Sequence, residues 1–283
     1  MKNLLVKIAR KILLKLLNQK NIESILINLA NVASIDILNL AYYQIGILKY
    51  WNEKVSGEYF VIQFILKKYF KNEQPVIFDV GANNGKYSAN VQTVFPHAII
   101  YAFEPNPNTF KLLCQNLRDC HIKCYELGFS SQTKKQTIFT YVKEKTSGHA
   151  TFYENVLLDL HKSSDVIGMQ IKTITLDEFC NTNKIDHIHF LKIDTEGHEM
   201  EVLKGAKEMI MNNRIDIIQF EFNEMNIISR VFLKDFYEIL NNYKLHRLDS
   251  SRLIPLFNYE SKNEIFKFQN FLAIHSKFFQ GYE

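Results

Sequence analysis

Apolar residues in this chain fall into short blocks whose period switches between that of a helix and that of a strand. From 57 to 70, Phe60, Phe64, Ile65 and Leu66 recur at helical spacing and are expected to face a sheet; the polar stretch 71–74 and Pro75 then stop the helix. VIFDV at 76–80 reads as a buried strand. The alternation continues with a helix over 87–94, the strand AIIYAFE at 98–104, a helix over 108–117 and the strand HIKCYELGF at 121–129. Strand and helix in regular turn imply right-handed crossovers and a parallel sheet.

Between 130 and 175 the rhythm changes. QTIFTYV at 136–142 and MQIKTITL at 169–176 are β-rich, separated by a polar stretch with Thr146, Ser147, Gly148 and His149, and this fits an inserted hairpin or subsheet that can roof an acceptor site. The strand HIHFLKID at 187–194, a helix over 200–210, the strand RIDIIQFEFNE at 214–224, a helix over 232–243 and strands at 244–249 and 269–276 complete the unit. The expected organisation is a helical N-terminal extension over 1–56 and one α/β domain over 57–283, with the insertion at about 130–175.

The extension has its own pattern. Lys2, Lys7, Arg10, Lys11, Lys15 and Lys20 precede the first acid, Glu23, and alternate with Leu4, Leu5, Ile8, Ile12, Leu13, Leu16 and Leu17. That is an amphipathic basic helix, suited either to packing on the catalytic domain or a partner chain, or to peripheral contact with an anionic membrane face. Charges interrupt every apolar run before the roughly 18 to 20 residues needed to span a bilayer. Further helices are expected over 21–50. A net charge of +4 is too small to argue for a nucleic-acid surface, and Cys114, Cys120, Cys124 and Cys180, without C-x-x-C spacing, read as reduced thiols of a cytoplasmic protein.

Candidate chemistry begins where the first strand ends. In VIFDVGANNG, Gly81 can take a positive φ and admit a ligand to the backbone, Gly85 eases the start of the next helix, and Asp79 and Asn83 place polar groups at the carboxyl edge of the sheet. The dinucleotide pattern G-x-G-x-x-G is broken by Asn83 and Lys86, which weakens a nicotinamide reading. Glu104 ends the second strand, where its carboxylate can accept from both hydroxyls of a ribose. Asp194, Glu196 and His198 follow the strand at 187–194 and are candidates for positioning or deprotonating an acceptor. Glu221 and Asn223 reach the same edge, and with Asp194 they form an oxygen set able to hold magnesium, although alternation along a strand means both need not face one ion.

DVGANNG at 79–85, FEPNP at 103–107, TLDEF at 175–179 and FLKIDTEGHEMEVLKGA at 190–206, in that order, resemble the signatures of the FkbM-type S-adenosylmethionine-dependent methyltransferases. The resemblance runs from about Gly57 to QNFLAI at 269–274 and implies a Rossmann-like sheet of seven strands, the last antiparallel and beside the fifth. It implies S-adenosyl-L-methionine as methyl donor, held by Asp79, Gly81, Ala82, Asn83, Gly85, Glu104, Pro105, Asn106, Leu127, Gly128 and Asp194, with the adenine near Leu127 and Gly128. It further implies transfer to a hydroxyl of a surface-glycan sugar or a natural product. None of the five prolines adjoins another or precedes a cysteine, so Asn-Pro-Pro-Tyr chemistry on amino groups and Pro-Cys chemistry on cytosine are both absent. A nicotinamide-dependent oxidoreductase and a cofactor-binding protein without turnover remain the alternatives, and magnesium is not favoured.

Overall fold

The computed structural model describes residue 7 and residues 18–70, 74–142 and 150–279. Most of the basic helix expected over 2–20 therefore lies outside the described residues, as does the polar stretch Thr146 to His149. The chain divides into the compact units Met1–Ile45 and Gly46–Glu283. The division falls before 56 because the backbone N–H of Leu48 donates to Phe268 and the Lys49 ammonium pairs with Asp249, tying residues 46–56 to the larger unit.

In the smaller unit, Asn18 caps helix Gln19–Val32 by accepting the Asn21 N–H, and Asp36 caps helix Ile37–Gln44 by accepting the Asn39 N–H. Among the described residues no single helix is long and apolar enough to cross a membrane; these two pass that test together, but bent by 111°.

The larger unit is built on an eight-stranded sheet of β1 (Val76–Val80), β2 (Ile99–Phe103), β3 (Ile122–Tyr125), β7 (Ile188–Ile193), β8 (Ile215–Phe222), β9 (Tyr243–Asp249), β10 (Arg252–Pro255) and β11 (Gln269–His275). Their order is β10-β9-β11-β8-β7-β1-β2-β3. The run from β3 to β8 is parallel, and β11 lies antiparallel between β8 and β9. The eighth strand is β10, which folds back on β9; Pro255 suits such an edge because it has no N–H to leave unpaired. A second sheet of β4 (Gly128–Phe129), β5 (Lys134–Tyr141) and β6 (Val166–Ile174) forms over the inserted region.

Both faces of the large sheet are buried. Phe78, Phe103, Phe129 and Phe179 pack on one side, with Phe103 and Phe129 centroids 4.7 Å apart, while Val61, Ile62, Leu66 and Phe70 join Ile77, Ile100 and Phe190 on the other. This second group corrects the helical face expected over 57–70. Residues Val61–Leu66 are a π-helical segment between Glu58–Phe60 and Lys67–Tyr69, and its wider turn rotates Phe64 outward to 60% exposure.

Candidate active site

The turn after β1 is set by backbone packing before any ligand is considered. Gly81, Asn83 and Gly85 all have positive φ, at 81°, 49° and 84°. The N–H groups of Gly81 and Ala82 both donate to the Phe103 carbonyl, which fastens the turn to the end of β2. A Cβ on Gly81 would lie 1.8 Å from the Asp194 carbonyl oxygen. The glycine is thus demanded first by the neighbouring strand rather than by a ligand. Gly85 serves helix packing: a Cβ there would come within 2.8 Å of the Leu113 and Leu117 side chains.

Around this turn three cavities adjoin. A cleft of about 40 Å³ is lined by Gly81, Asn83, Glu104, Pro105, Asp194 and Glu196, and is roofed by Ile138, Ala150 and Phe152 from the inserted region. A cavity of about 300 Å³ shares Gly81, Asn83 and Asp194 with it and adds Ala82, Glu58, Lys86 and Lys192. A third, of about 700 Å³, shares Glu196 with the cleft and contains Glu221, Asn223, Tyr50, His161, Phe266 and Phe268. The insertion therefore covers the Glu104 cleft, and it reaches the large cavity through Leu160 and His161.

Each acid has a distinct environment. Glu104 is 6% exposed and accepts the N–H of Asn83 at 3.0 Å and of Asn106 at 2.9 Å. Burial pushes its carboxyl up to about 7 even though those two N–H groups favour the charged form. Asp194 pairs with Lys192 Nζ at 2.8 Å. Lys192 is buried, faces Asp79 across the strand register, and stands 3.9 Å from both Asp79 and Glu58 carboxylates and 4.8 Å from the Tyr87 ring centre. Burial works against its charge, but the Asp194, Asp79 and Glu58 carboxylates win and hold its pKa above the ordinary lysine value. Asp79 also accepts from Ser88 Oγ at 2.6 Å, and burial raises its pKa.

Beyond β7, Glu196 has φ 54° and its carbonyl accepts from Thr151 Oγ1 at 2.9 Å. Glu199 accepts the N–H groups of Thr195 and Gly197, which fixes the loop. Burial raises its pKa to about 7. Glu221 is raised well above the usual range, first by burial and then by the charges of Asp194, Glu196 and Glu199, and it accepts from the Asn223 amide.

The structure brings Gly81, Asn83, Glu104, Pro105, Asp194 and Glu196 to one cleft. It separates several other expected residues. His198 is 4% exposed, bonds Ser130 Oγ at 3.0 Å and stacks on Phe152 at 3.9 Å; burial lowers its pKa to about 4. It packs the roof onto the loop and faces none of the three cavities, which corrects its candidacy as a base. Leu127 packs on the core and Gly128 lies in β4 against Ile171, Thr173 and Pro105, so neither lines these cavities. Asn106 caps helix Pro107–Asn116, and Asp79 and Gly85 act from behind the wall. In the magnesium set, the Asn223 amide oxygen accepts the Met225 N–H at 2.7 Å, and its nitrogen is turned to Glu221. Sequence reasoning misses Lys192 because it interrupts a strand that reads as apolar. Its position two residues before Asp194, hence on the same face, is the available signal.

The sequence matches the methyltransferase FkbM domain family over residues 79–245. It is 32% identical over 195 residues to the hexuronic acid methyltransferase AglP of Haloferax volcanii, covering 68% of this chain and 71% of that protein. It is 30% identical over 182 residues to the methyltransferase sdnD of Sordaria araneosa, covering 52% and 69%. Against the 2-O-methyltransferase NoeI of Sinorhizobium fredii it is 22% identical over 165 residues, covering 53% and 65%.

Proposed function

This chain belongs to the methyltransferase FkbM family, and from that premise we propose that it transfers a methyl group from S-adenosyl-L-methionine to a hydroxyl oxygen of a sugar. The hexuronic acid methyltransferase relative supports the sugar, and the 2-O-methyltransferase relative supports an oxygen as acceptor. The observation that carries the donor is Glu104, a buried carboxylate oriented by two backbone N–H groups and lining the cleft it shares with the Gly81 turn and Asp194. The residues fit the cofactor: Glu104 offers acceptors for a ribose diol, and the adjoining cavity offers Lys86 for a carboxylate and Glu58 for an ammonium. When bound, the cofactor supplies a methyl carbon activated by a sulfonium. The chain's part is alignment, exclusion of water by the Ile138 and Phe152 roof, and acceptance of the hydroxyl proton at the edge where Asp194, Glu196 and Glu221 gather.

This reading includes no magnesium: the Asn223 amide oxygen is turned to the Met225 N–H and its nitrogen to Glu221, an orientation that disfavours a shared ion, and chelation is expected to leave turnover intact. Calorimetry with S-adenosylhomocysteine and with NAD tests the donor: tight binding of the first and none of the second is expected, and the reverse would return the chain to the oxidoreductases. Transfer of labelled methyl to a panel of glycosides tests the acceptor. Binding of the cofactor with no transfer to any glycoside would remove the sugar from this reading.

A further inference from the structure

The cleft and the 700 Å³ cavity meet at Glu196, and the three acids whose charges bear on one another around it, Asp194, Glu199 and Glu221, differ in what already engages them. Asp194 has its charge balanced by Lys192 at 2.8 Å, and Glu199 is committed to the loop N–H groups of Thr195 and Gly197. Glu221 accepts only from a neutral amide, that of Asn223, and among the described residues no cation pairs with it. It opens on the cavity whose wall also carries Tyr50, Phe266 and Phe268, with Tyr50 edge-on to Phe268 at 5.9 Å. Aromatic rings suit the C–H face of a sugar, and carboxylates suit its hydroxyls.

We propose that this cavity is the acceptor subsite, that its aromatic wall holds a pyranose ring, and that Glu221 takes the proton of the hydroxyl being methylated. The inference rests on the methyl-transfer reading above. In the step, the acceptor oxygen forms its bond to the methyl carbon as the carbon–sulfur bond breaks to leave a neutral thioether, and the hydroxyl proton passes to the Glu221 carboxylate. Burial beside like charges makes Glu221 a stronger base than an ordinary carboxylate once it is ionised, so turnover should climb with pH through its raised titration.

Wild type, Glu221→Gln and Tyr50→Ala separate the possibilities in three measurements: calorimetry with S-adenosylhomocysteine, saturation-transfer NMR with methyl glucuronide and methyl glucoside, and labelled methyl transfer to the same glycosides. Glu221→Gln is expected to lower kcat by on the order of 10² to 10⁴ and to abolish the rise with pH, while S-adenosylhomocysteine affinity stays within about threefold. Tyr50→Ala should lose the glycoside NMR signal and raise KM about tenfold with kcat kept. An active wild type whose Glu221→Gln variant keeps kcat within about twofold overturns the inference and leaves the proposed function standing. A wild type that does not bind S-adenosylhomocysteine, or binds it and methylates neither glycoside, overturns the underlying reading and the acceptor assignment together.

The smaller unit carries an independent observation. Its helices Gln19–Val32 and Ile37–Gln44 and the turn between them leave Leu26, Leu29, Val32, Ile35, Leu38 and Leu40 between 51% and 87% exposed. Residues 1–45 hold six basic and two acidic side chains, so the net +4 of the whole chain resides there and the other residues balance to zero. Exposed aliphatic surface joined to a local excess of positive charge complements an anionic bilayer face. We infer that this unit docks the protein on such a surface, lying in the interface without crossing it. Flotation of the full chain with phosphatidylcholine vesicles, with and without phosphatidylglycerol, tests this. Binding to the anionic vesicles alone, weakened by salt and reduced at least about tenfold by Leu26→Asp with Leu29→Asp, is expected. Absence of binding at low salt overturns the inference, as does a lipid-independent dimer that the same pair of substitutions dissolves.

Discussion

The two edges of the large sheet both bury charged side chains, and they do so to opposite effect. At the carboxyl edge, one cation, Lys192, faces the three acids Asp194, Asp79 and Glu58, and Glu104, Glu221, Asp79 and Glu58 are all raised above ordinary carboxylate values, chiefly by burial. At the amino edge a single buried acid, Asp216, meets two bases: His187 at 2.9 Å, and the Lys277 ammonium. Burial would raise Asp216 too, but these partners hold it below its usual value. The ring nitrogens and carboxylate of His187, His189 and Asp216 lie within 4.8 Å of one another, a spacing that would suit a cation, yet His189 Nδ1 accepts the Val76 N–H and both Asp216 oxygens have partners. The amino edge is a satisfied clamp. Around the Gly81 turn and the loop after β7 the carboxyl edge buries acids with few cations beside them, and burial first, then the neighbouring like charges, make those acids basic.

Substitutions at the two edges should therefore fail in different ways. The largest effect is expected at Gly81→Val, where the new side chain meets the Asp194 carbonyl; a loss above about 4 kcal/mol, seen as failure to accumulate folded protein, is anticipated. Normal thermal melting would show that the turn can move. Next comes Lys192→Met, which removes the cation that three acids share and should cost about 3 to 5 kcal/mol near neutral pH. Asp79 and Glu58 already bind protons more tightly folded than unfolded, so stability in this variant should recover as pH falls towards their raised values. A flat pH dependence of melting would contradict this account of the carboxyl edge.

Glu104→Ala should weaken S-adenosylhomocysteine binding by about 1.5 to 3 kcal/mol, roughly tenfold to a hundredfold. In the wild type that affinity should rise as pH passes upward through about 7, where Glu104 ionises and becomes a full acceptor. Calorimetry on either side of that value would detect either result, and equal affinities would detach Glu104 from the ribose. The smallest effect, about 1 to 2 kcal/mol, belongs to Asp216→Asn at the amino edge, with cofactor affinity untouched. Asp216 has a lowered folded value, so its contribution is present above the ordinary aspartate range and is lost as pH falls through that lowered value; the gap between wild type and variant should close in acid. Loss of cofactor binding in Asp216→Asn would show that the edges are not independent.

Much of this was legible in the order of residues, for identifiable reasons. Strands such as VIFDV bury both faces and end in glycines with enforced φ, so apolar runs and turn residues locate β1, its turn and Glu104 together. The face of the preceding helix was not legible, because helical periodicity assumes regular turns and the π segment Val61–Leu66 moves Phe64 off the expected side. His198 misleads for a different reason: a histidine after an acidic turn suggests a base, and only the packing of Phe152 and Ser130 shows where its ring lies. From its place at a strand end Glu221 reads only as one member of a magnesium set that is not favoured, whereas its environment depends on three other acids brought in from a different loop.

The placement of β11 bears on how the protein is made. Synthesis proceeds towards the carboxyl end, so β8 and β9 leave the ribosome well before Gln269–His275, the strand that must lie between them. At ordinary translation speeds the facing edges of β8 and β9 wait on the order of seconds with their hydrogen-bonding groups unpaired. Direct pairing of β8 with β9 in that interval would be a misfold that shuts out β11, so correct assembly depends on the nascent strands being kept apart until the closing strand arrives.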